Sequence, residues 1–270
     1  MYLGIDVGGT KTLLAVFDEN GQISRQAKFP TPPDYENFLQ ELKKTLAEFK
    51  DFQIKACCCA LPGRLDRSRG IGVRFGNLGW QNIPIKQDVS RLLGLDYVFI
   101  ENDAKLAGLY EAINHKEYKK VVYVTIGTGI GIGIITNGNI VPELADSEIG
   151  NMLINHNGSL QKWEAFASGK AFQERFGLKA SEANNPTIWE RYTDDLVVGF
   201  DAALAAFQPD VVIIGGGVGA HFDKFGSLLA EKIAKIRNRM VPIPPIIKAA
   251  KPEEAVIYGC YVFLRQKLGI

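Results

Sequence analysis

An apolar strand, a short turn of glycine and threonine, and a second apolar strand occur twice in this chain. The first copy runs from Tyr2 to Asp18 and the second from Val121 to Thr136. Thr125 in the second copy stands where Asp6 stands in the first, an offset of 119 residues, which is the length of a small domain. Because glycine has no Cβ, backbone N–H groups in such turns can approach an anion closely. The repeat predicts a nucleotide held by two related halves, of which only the first supplies a carboxylate.

The composition limits the classes of partner. The 270 residues are 46% apolar and 23% charged, as in an ordinary globular protein, and suffice for one large domain or two small ones. A net charge of +1 creates no field that attracts nucleic acid or an anionic membrane, and no apolar run reaches the ~18 residues of a membrane span. The N-terminus enters a strand without a signal-peptide pattern. We therefore expect a cytoplasmic protein with neither nucleic acid nor membrane as a partner.

Apolar runs of strand length precede segments of helical spacing in both halves of the chain. This order predicts an α/β fold with two domains, residues 1–114 and 115–251, each containing a mixed sheet. A C-terminal helix at about 252–270 is expected to pack back on the first, smaller domain. The cleft flanked by two such domains is the expected ligand site.

Three further segments have less regular patterns. Residues 61–84 are predicted to form a long glycine-rich loop, and residues 143–162 a polar irregular segment that precedes one helix near 163–176. The adjacent cysteines at 57–59 alternate faces of a predicted strand, so they cannot converge on one metal ion, and we expect them to be buried and reduced.

Three glycine-rich turns at strand ends are candidate sites for a nucleotide. They are Gly8-Gly9-Thr10-Lys11, Gly127-Thr128-Gly129 and Gly215-Gly216-Gly217. The first two offer backbone amides and side-chain donors to phosphates, and the third offers bare backbone to a flat nucleoside. Each turn alone is also compatible with a plain hairpin or strand-to-helix connection. No Walker motif is present, and Gly8-Gly9 opens a hairpin rather than the helix of a Rossmann fingerprint.

Two carboxylates also follow predicted strands. Asp6 can hold Mg²⁺, through water, because hard cations prefer carboxylate oxygens. Asp103, within Glu101-Asn102-Asp103-Ala104, can accept the proton of a substrate hydroxyl while its oxygen attacks a γ-phosphate. The alternative is helix capping, for which both Asn and Asp are favoured.

These motifs together resemble the ROK (repressor, open reading frame, kinase) family of sugar kinases, within the actin/hexokinase-like ATPase superfamily. The matching segments are Asp6–Lys11, Leu61–Gly63, Asn77–Trp80, Glu101–Ala104, Ile126–Gly129, Glu148–Gly150, Glu164–Gly169 and Ile214–Val218. The resemblance implies two actin-like (ribonuclease H-like) domains and transfer of a phosphoryl group from ATP, with Mg²⁺, to a hexose hydroxyl, usually at C6. By position it implies Asp103 as the catalytic base. The implied sugar ligands are Asn77, Asn102, Glu148 and Glu164.

The chain departs from this family in one segment. Asn151 stands where the family pattern Glu-x-Gly-His has its histidine, and an amide can still exchange hydrogen bonds with a sugar hydroxyl. Residues 152–163 contain no cysteine, so the zinc-binding loop of the family is missing and no structural zinc is expected. His156, in a polar stretch, is expected to be solvated rather than to replace a zinc ligand.

Several alternatives stay open. A non-catalytic sensor of sugar or nucleotide with the same fold would explain Asn151 and the missing zinc loop. Asp6 and Asp103 argue against it, because a binding protein needs neither a base nor an acid for a metal ion. The sequence identifies neither the sugar nor whether ATP is the only phosphoryl donor, and another polyol acceptor or a homodimer is compatible with it.

Overall fold

The computed structural model describes residues 1–76, 78–236 and 240–270. These residues divide into two compact units, residues 1–110 with 254–270, and residues 111–253. Each unit contains a five-stranded sheet with both antiparallel and parallel pairs, so the predicted α/β class with mixed sheets is confirmed. Among the described residues, no helix is long and apolar enough to cross a membrane.

Each unit has three consecutive strands near its start, and helices are interspersed with the later strands. The strands are β1 (Tyr2–Val7), β2 (Lys11–Phe17), β3 (Ile23–Pro30), β4 (Ala56–Leu61), β5 (Arg64–Asp66), β6 (Ile71–Arg74), β7 (Gln81–Ile83), β8 (Val98–Asn102), β9 (Lys120–Ile126), β10 (Ile130–Thr136), β11 (Asn139–Ile140), β12 (Leu153–His156), β13 (Ser159–Lys162), β14 (Val211–Gly215) and β15 (Ile246–Lys248). The α-helices are α1 (Tyr35–Leu46), α2 (Ile85–Leu93), α3 (Asp103–Asn114), α4 (Trp163–Ala167), α5 (Gly169–Phe176), α6 (Pro186–Phe207), α7 (Gly216–Gly219), α8 (Gly226–Ile236) and α9 (Ala255–Leu268). Short 3-10 helices lie at Ala47–Phe49, Pro142–Leu144, Ile149–Asn151, Ala180–Glu182 and Phe222–Lys224.

The sheet of the first unit has the strand order β3-β2-β1-β4-β8. β1 is antiparallel to β2 and parallel to β4, and β4 is parallel to β8. The carboxyl ends of β1 and β8 therefore lie at the same edge of the sheet, where ligands of open α/β sheets bind. The predicted burial of the cysteines is confirmed, because Cys57, Cys58 and Cys59 on β4 are at most 1% exposed.

Helix α9 packs closely on both β1 and α3. A Cβ atom on Gly4 would lie 3.0 Å from Ile257 Cδ1 and 3.1 Å from Cys260 Cβ. A Cβ atom on Gly259 would overlap the Leu106 carbonyl. The absence of side chains at these two glycines is what lets the last helix complete the core of the first unit.

Residues 61–84 are not the unstructured loop that their glycine content predicts. They contain the small antiparallel sheet β5-β6-β7. Gly63 and Gly70 have φ values of +90° and +71°, which permit tight turns between strands of only three or four residues. Trp80 is 3% exposed, and its ring centroid lies 4.7 Å from that of Phe38 and 5.3 Å from that of Phe75. The strands are too short to produce a recognisable alternation of apolar residues.

The sheet of the second unit has the order β11-β10-β9-β14-β15. β9 is antiparallel to β10 and parallel to β14, so Thr125 near the end of β9 pairs with Gly215 at the end of β14. Helix α6 contributes large buried side chains to the core beside this sheet, among them Trp189 and Tyr192. Two of the three predicted glycine turns are thus brought to adjacent strand ends.

The predictions for 143–162 and 163–176 are both wrong in part. Strands β12 and β13 form a hairpin in the first segment, closed by Asn157 and Gly158 with φ values of +53° and +80°. Such values are typical of the turns that Asn-Gly forms in hairpins. The predicted single helix is interrupted at Ser168, whose extended backbone ends α4 and whose side chain accepts a hydrogen bond from Ala171 N at the start of α5.

Candidate active site

The turn between β1 and β2 is held by a network of threonines. Gly8 N donates to Lys11 O at 2.9 Å, and a Cβ atom on Gly8 would lie 2.8 Å from that oxygen. Thr31 Oγ1 donates to Gly8 O at 2.8 Å, and Thr31 N donates to Thr10 O at 3.0 Å. Gly9 is half-buried, whereas Thr10 and Lys11 are exposed. The hairpin alone thus explains Gly8, while the exposed side chains remain able to meet a ligand.

Two carboxylates lie at the carboxyl edge of the same sheet. Asp6 is half-buried and lies one residue before the end of β1. Asp103 is the first residue of α3, directly after β8. Burial and the Asp103 carboxylate raise the pKa of Asp6 to about 7, against a smaller opposing effect of Lys11. Asp103 Oδ1 accepts a hydrogen bond from Ala104 N at 2.8 Å. The two acids are therefore close enough for their charges to interact unfavourably.

Asn102 performs the capping that was the alternative interpretation of this motif. Its Oδ1 accepts a hydrogen bond from Ala104 N at 3.0 Å, which it shares with Asp103 Oδ1, and another from Lys105 N at 3.3 Å. Its Nδ2 donates to Gly63 O at 3.3 Å. The residue is 4% exposed. Asn102 thus fixes the start of α3 and with it the backbone of Asp103.

Arg67 and Glu101 form an ion pair next to this cap. Arg67 Nε lies 2.9 Å from both Glu101 carboxylate oxygens, and Nη2 lies 2.6 Å from Oε1. Glu101 is 4% exposed, and its Oε1 also accepts a hydrogen bond from Asn102 N at 2.7 Å. The pair braces the strand end that precedes Asp103. No pattern in the sequence singles out Arg67, because it lies in the segment predicted to be a loop.

The turn between β9 and β10 is held from two sides. Gly169 N, at the start of α5, donates to Gly127 O at 2.7 Å. Glu164 Oε2 accepts a long hydrogen bond from Ile130 N at 3.4 Å, and a Cβ atom on Gly129 would lie 2.7 Å from that oxygen. Apart from its two chain neighbours, no described residue has an atom within 4 Å of a Cβ placed on Gly127, and Thr128 is exposed. This turn therefore combines a fixed backbone with an open face.

The candidate sugar ligands of the second unit lie around the same turn. Asn151 N donates to Glu148 O at 3.1 Å within the 3-10 turn at 149–151, and both side chains are exposed. A Cβ atom on Gly150 would overlap Ile130 O and would lie 3.2 Å from Glu164 Oε2. Gly150 thus brings this turn next to Glu164. The remaining candidate, Asn77, lies outside the described residues.

The three glycines after β14 differ in their surroundings. A Cβ atom on Gly215 would overlap the Tyr123 hydroxyl, and one on Gly216 would lie 2.6 Å from Ile126 O. Gly216 also has a φ of +82°. Of the three, Gly217 is the exposed one, and apart from its chain neighbours no described residue has an atom within 4 Å of its Cβ position. Contact with β9 therefore explains Gly215 and Gly216, and Gly217 alone offers open backbone.

The expectation that His156 is solvated is wrong. Its ring stacks on Phe166 with centroids 4.0 Å apart and an interplanar angle of 5°, and its Nε2 lies 3.2 Å from Asp195 Oδ1. Asp195 also binds Arg175. Among residues 1–76, 78–236 and 240–270, no group of three or more His, Cys, Asp or Glu side chains is placed to hold a metal ion.

Known proteins match the chain along nearly its full length. A family model described as "ROK family" matches residues 2–267. A fructokinase from Streptococcus mutans is 27% identical over 91% of this chain and 89% of its own length. An N-acetyl-D-glucosamine kinase from Yersinia pseudotuberculosis is 28% identical over 99% of this chain and 100% of its own length. A ROK family glucokinase from Streptomyces griseus, solved in complex with glucose and AMPPNP, has a TM-score of 0.84 at 23% identity, covering 98% of this chain and 99% of its own. The predicted resemblance is confirmed, and this chain belongs to the ROK family.

Proposed function

We propose that this ROK-family protein transfers the γ-phosphoryl group of ATP to a hydroxyl of a hexose or hexose derivative. Relatives named fructokinase and N-acetyl-D-glucosamine kinase, matched over at least 89% of their lengths, support the reaction class. The observation that carries the proposal is the position of Asp103, at the carboxyl edge of the sheet and close to Asp6.

Asp103 is the proposed general base. It would take the proton of the sugar hydroxyl as the hydroxyl oxygen attacks the γ-phosphorus. Without this proton transfer, the attacking oxygen would develop a positive charge. The hydrogen bond from Ala104 N to Oδ1 orients the carboxylate before the substrate arrives. Phosphoryl transfer depends mainly on positioning and electrostatics, so a covalent nucleophile on the protein is not required.

The phosphates of ATP are proposed to contact the turns at 8–11 and 127–129. Thr10, Lys11 and Thr128 are exposed and supply donors, and Gly127 leaves room for close approach to the backbone. Gly217 is the proposed contact of the nucleoside with bare backbone.

Asp6 is the proposed residue for Mg²⁺, through water. Burial and the Asp103 carboxylate raise the pKa of Asp6 to about 7, so the charged form of Asp6 is disfavoured, and a divalent cation beside it would favour that charged form. When bound, Mg²⁺ offsets the negative charge of the phosphates. Lys11 already lowers the pKa of Asp6, and its positive charge, like that of Mg²⁺, would offset the charge of the phosphates.

The hydroxyls of the sugar are proposed to bind Glu148, Asn151 and Glu164 in the second unit, with Asn102 and Asn77 in the first. Carboxylates accept hydrogen bonds from hydroxyls, and asparagine both donates and accepts, so Glu148, Asn151 and Glu164 suit several hydroxyls. Because the Oδ1 of Asn102 caps α3, Asn102 can offer a sugar only its remaining Nδ2 hydrogen. An amide at position 151 cannot shuttle a proton as an imidazole can, so Asn151 is assigned to binding alone.

A panel of hexoses tests the proposal. Glucose, mannose, fructose and N-acetylated hexosamines are each incubated with the protein, ATP and Mg²⁺, and ADP release is measured against a reaction without sugar. We expect one or more sugars to stimulate release. Sugar binding by calorimetry with no sugar-dependent ADP release would instead identify a non-catalytic sensor. Repeating the productive reaction with inorganic polyphosphate or GTP decides whether ATP is the only donor.

We also propose a cytoplasmic location and a homodimer. The cysteines Cys57, Cys58, Cys59 and Cys260 are free and buried, which suits a reducing compartment. The homodimer rests on the family resemblance, and light scattering after size-exclusion chromatography tests it.

A further inference from the structure

A buried carboxylate in the second unit connects segments that carry site residues. Asp195, in the middle of α6, is 5% exposed. Its Oδ1 lies 3.2 Å from His156 Nε2, and its Oδ2 accepts a hydrogen bond from Arg175 Nη1. An ionised carboxylate only accepts hydrogen bonds, so Nε2 of His156 carries the hydrogen. Asp195, His156 and Arg175 are called the Asp195 cluster below.

The cluster fixes helix α4 on both sides of Glu164. On one side, Trp163 Nε1 donates to the backbone carbonyl of Asp195 at 3.1 Å, and the Trp163 side chain is fully buried. On the other side, Phe166 lies flat against the His156 ring, with centroids 4.0 Å apart. Since α4 is only five residues long, these two contacts leave it little freedom to rotate or shift.

The cluster also extends to the neighbouring elements. His156 is the last residue of β12, which follows the 3-10 turn that ends at Asn151. Arg175 is in the last turn of α5, whose first residue, Gly169, binds Gly127 O. The contact between Gly169 and Gly127 is made by backbone atoms and does not involve His156. A change at His156 should therefore affect α4 and the hairpin more than the turn at 127–129.

We infer that Asp195, His156 and Arg175 are positioning residues that hold Glu164 in place for the sugar substrate. The inference rests on the proposed function, in which Glu164 binds a sugar hydroxyl. With the cluster intact, the carboxylate is preorganised, so sugar binding does not have to order α4. Displacement of a positioned group by about 1 Å can cost up to about 10²-fold in turnover, so even a small shift of α4 is measurable.

The test separates the hydrogen bond of His156 from its stacking. His156→Phe keeps a ring against Phe166 but removes the donor to Asp195, whereas His156→Gln keeps an N–H donor. We expect His156→Phe to raise the KM for the sugar about tenfold and to leave the KM for ATP within about twofold, because sugar binding would then have to order α4. We expect His156→Gln to restore part of the sugar affinity.

His115→Phe is the matched control. The two histidine side chains are 25% and 23% exposed at positions 115 and 156, both lie in the second unit, and both contact an acidic residue. Among the described residues, the His115 ring contacts Glu117 and Tyr118, two and three residues away, so this substitution removes local contacts. We expect both KM values of His115→Phe to match those of the wild type.

Hydrogen exchange measured by mass spectrometry, without any ligand, provides a readout that does not depend on the reaction. Peptides that cover 152–168 should exchange faster in His156→Phe than in the wild type or His115→Phe. If these peptides exchange in His156→Phe at the same rate as in the wild type, the inference is overturned. An equal rise in the KM values for sugar and ATP overturns it as well. If no hexose is phosphorylated by the wild type, the proposed function fails, and the exchange comparison still decides whether the cluster holds α4.

Discussion

The hydroxyl of Thr31 donates a hydrogen bond to the carbonyl of Gly8 at 2.8 Å. Thr31 follows β3, and its Oγ1 also lies 2.9 Å from Thr12 Oγ1 on β2. The proposed phosphate-binding turn is therefore fixed from a neighbouring strand rather than being a free hairpin. Replacement of the hydroxyl should disturb the turn without touching the residues that meet the nucleotide.

Thr31→Val should weaken ATP binding. The substitution keeps the shape of the side chain but leaves the half-buried Gly8 carbonyl without its donor, which costs at most about 1–3 kcal/mol, the range for a fully buried group. We expect a rise in the KM for ATP of about three- to tenfold, with the KM for the sugar nearly unchanged. Thr31→Ser keeps the donor and serves as the control. Equal ATP kinetics in Thr31→Val and the wild type would show that the turn does not depend on this contact.

Asp103→Asn should remove most of the turnover and keep ATP binding. The amide has no basic oxygen that can take the proton of the sugar hydroxyl, and loss of a general base typically lowers turnover by ~10²–10⁴-fold. Steady-state kinetics and calorimetric titration with ATP measure the two effects. Near-wild-type turnover in a preparation free of other kinases would remove Asp103 from this role.

The substitutions Gly216→Ala and Gly217→Ala should have different effects. Gly216 has a φ of +82° and a Cβ position 2.6 Å from Ile126 O, so alanine there should destabilise the fold by about 1–3 kcal/mol. Gly217 has open space at its Cβ position, so alanine should leave the melting temperature unchanged or slightly higher. If Gly217 contacts the nucleoside, its alanine variant should raise the KM for ATP. Equal loss of stability in both variants would contradict the distinction.

Asp6 should make the Mg²⁺-free protein less stable as pH rises. Its folded-state pKa of about 7 lies above the ordinary value near 4, so between these values the folded protein binds more protons than the unfolded chain. The free energy of unfolding therefore falls as pH rises through this window. Asp6→Asn has no charge to bury, so its free energy of unfolding should exceed that of the wild type at high pH. The difference should grow from nearly zero at pH 4 to at most about 4 kcal/mol at pH 8.

Urea unfolding at several pH values measures this difference. Asp66→Asn is a control of opposite sign, because hydrogen bonds from Ser68 and from Arg69 N lower the pKa of the exposed Asp66. A group with a depressed pKa stabilises the folded protein above its ordinary pKa, and this stabilisation is lost as pH falls. Asp66→Asn should therefore not raise the free energy of unfolding above that of the wild type at high pH. Addition of Mg²⁺ at pH 8 should narrow the gap between the wild type and Asp6→Asn. If the difference in the free energy of unfolding between the wild type and Asp6→Asn does not change with pH, the raised pKa of Asp6 is contradicted.

Local patterns were sufficient to predict the features that depend on neighbours in sequence. A run of apolar residues followed by glycine marks a strand and its end, and this places Asp6 and the turn at 127–129 correctly at strand ends. Asp103 follows β8 for the same reason. The asparagine and glycine that close the hairpin β12–β13 carry an equally local signal, which the polarity of their surroundings obscured.

Contacts between distant residues were not predictable. Thr31 meets Gly8 across 23 residues, Arg67 meets Glu101 across 34, and His156 meets Asp195 across 39. Each pair depends on how elements pack, and no spacing in the sequence encodes that. Similarly, the sequence presents Gly215, Gly216 and Gly217 as equivalent, although close approach of β9 requires only the first two to be glycine.

The packing of α9 has a consequence for the order in which the protein folds on the ribosome. Residues 254–270 are translated after the whole of residues 111–253, yet they belong to the unit begun by β1. Domains generally fold as units as they emerge during synthesis. The second unit can therefore fold as soon as it emerges, whereas the earlier sheet must wait, with the face beside Gly4 uncovered, until α9 is made. During that interval the nascent chain exposes the surface of β1 and β4 that α9 covers in the finished protein.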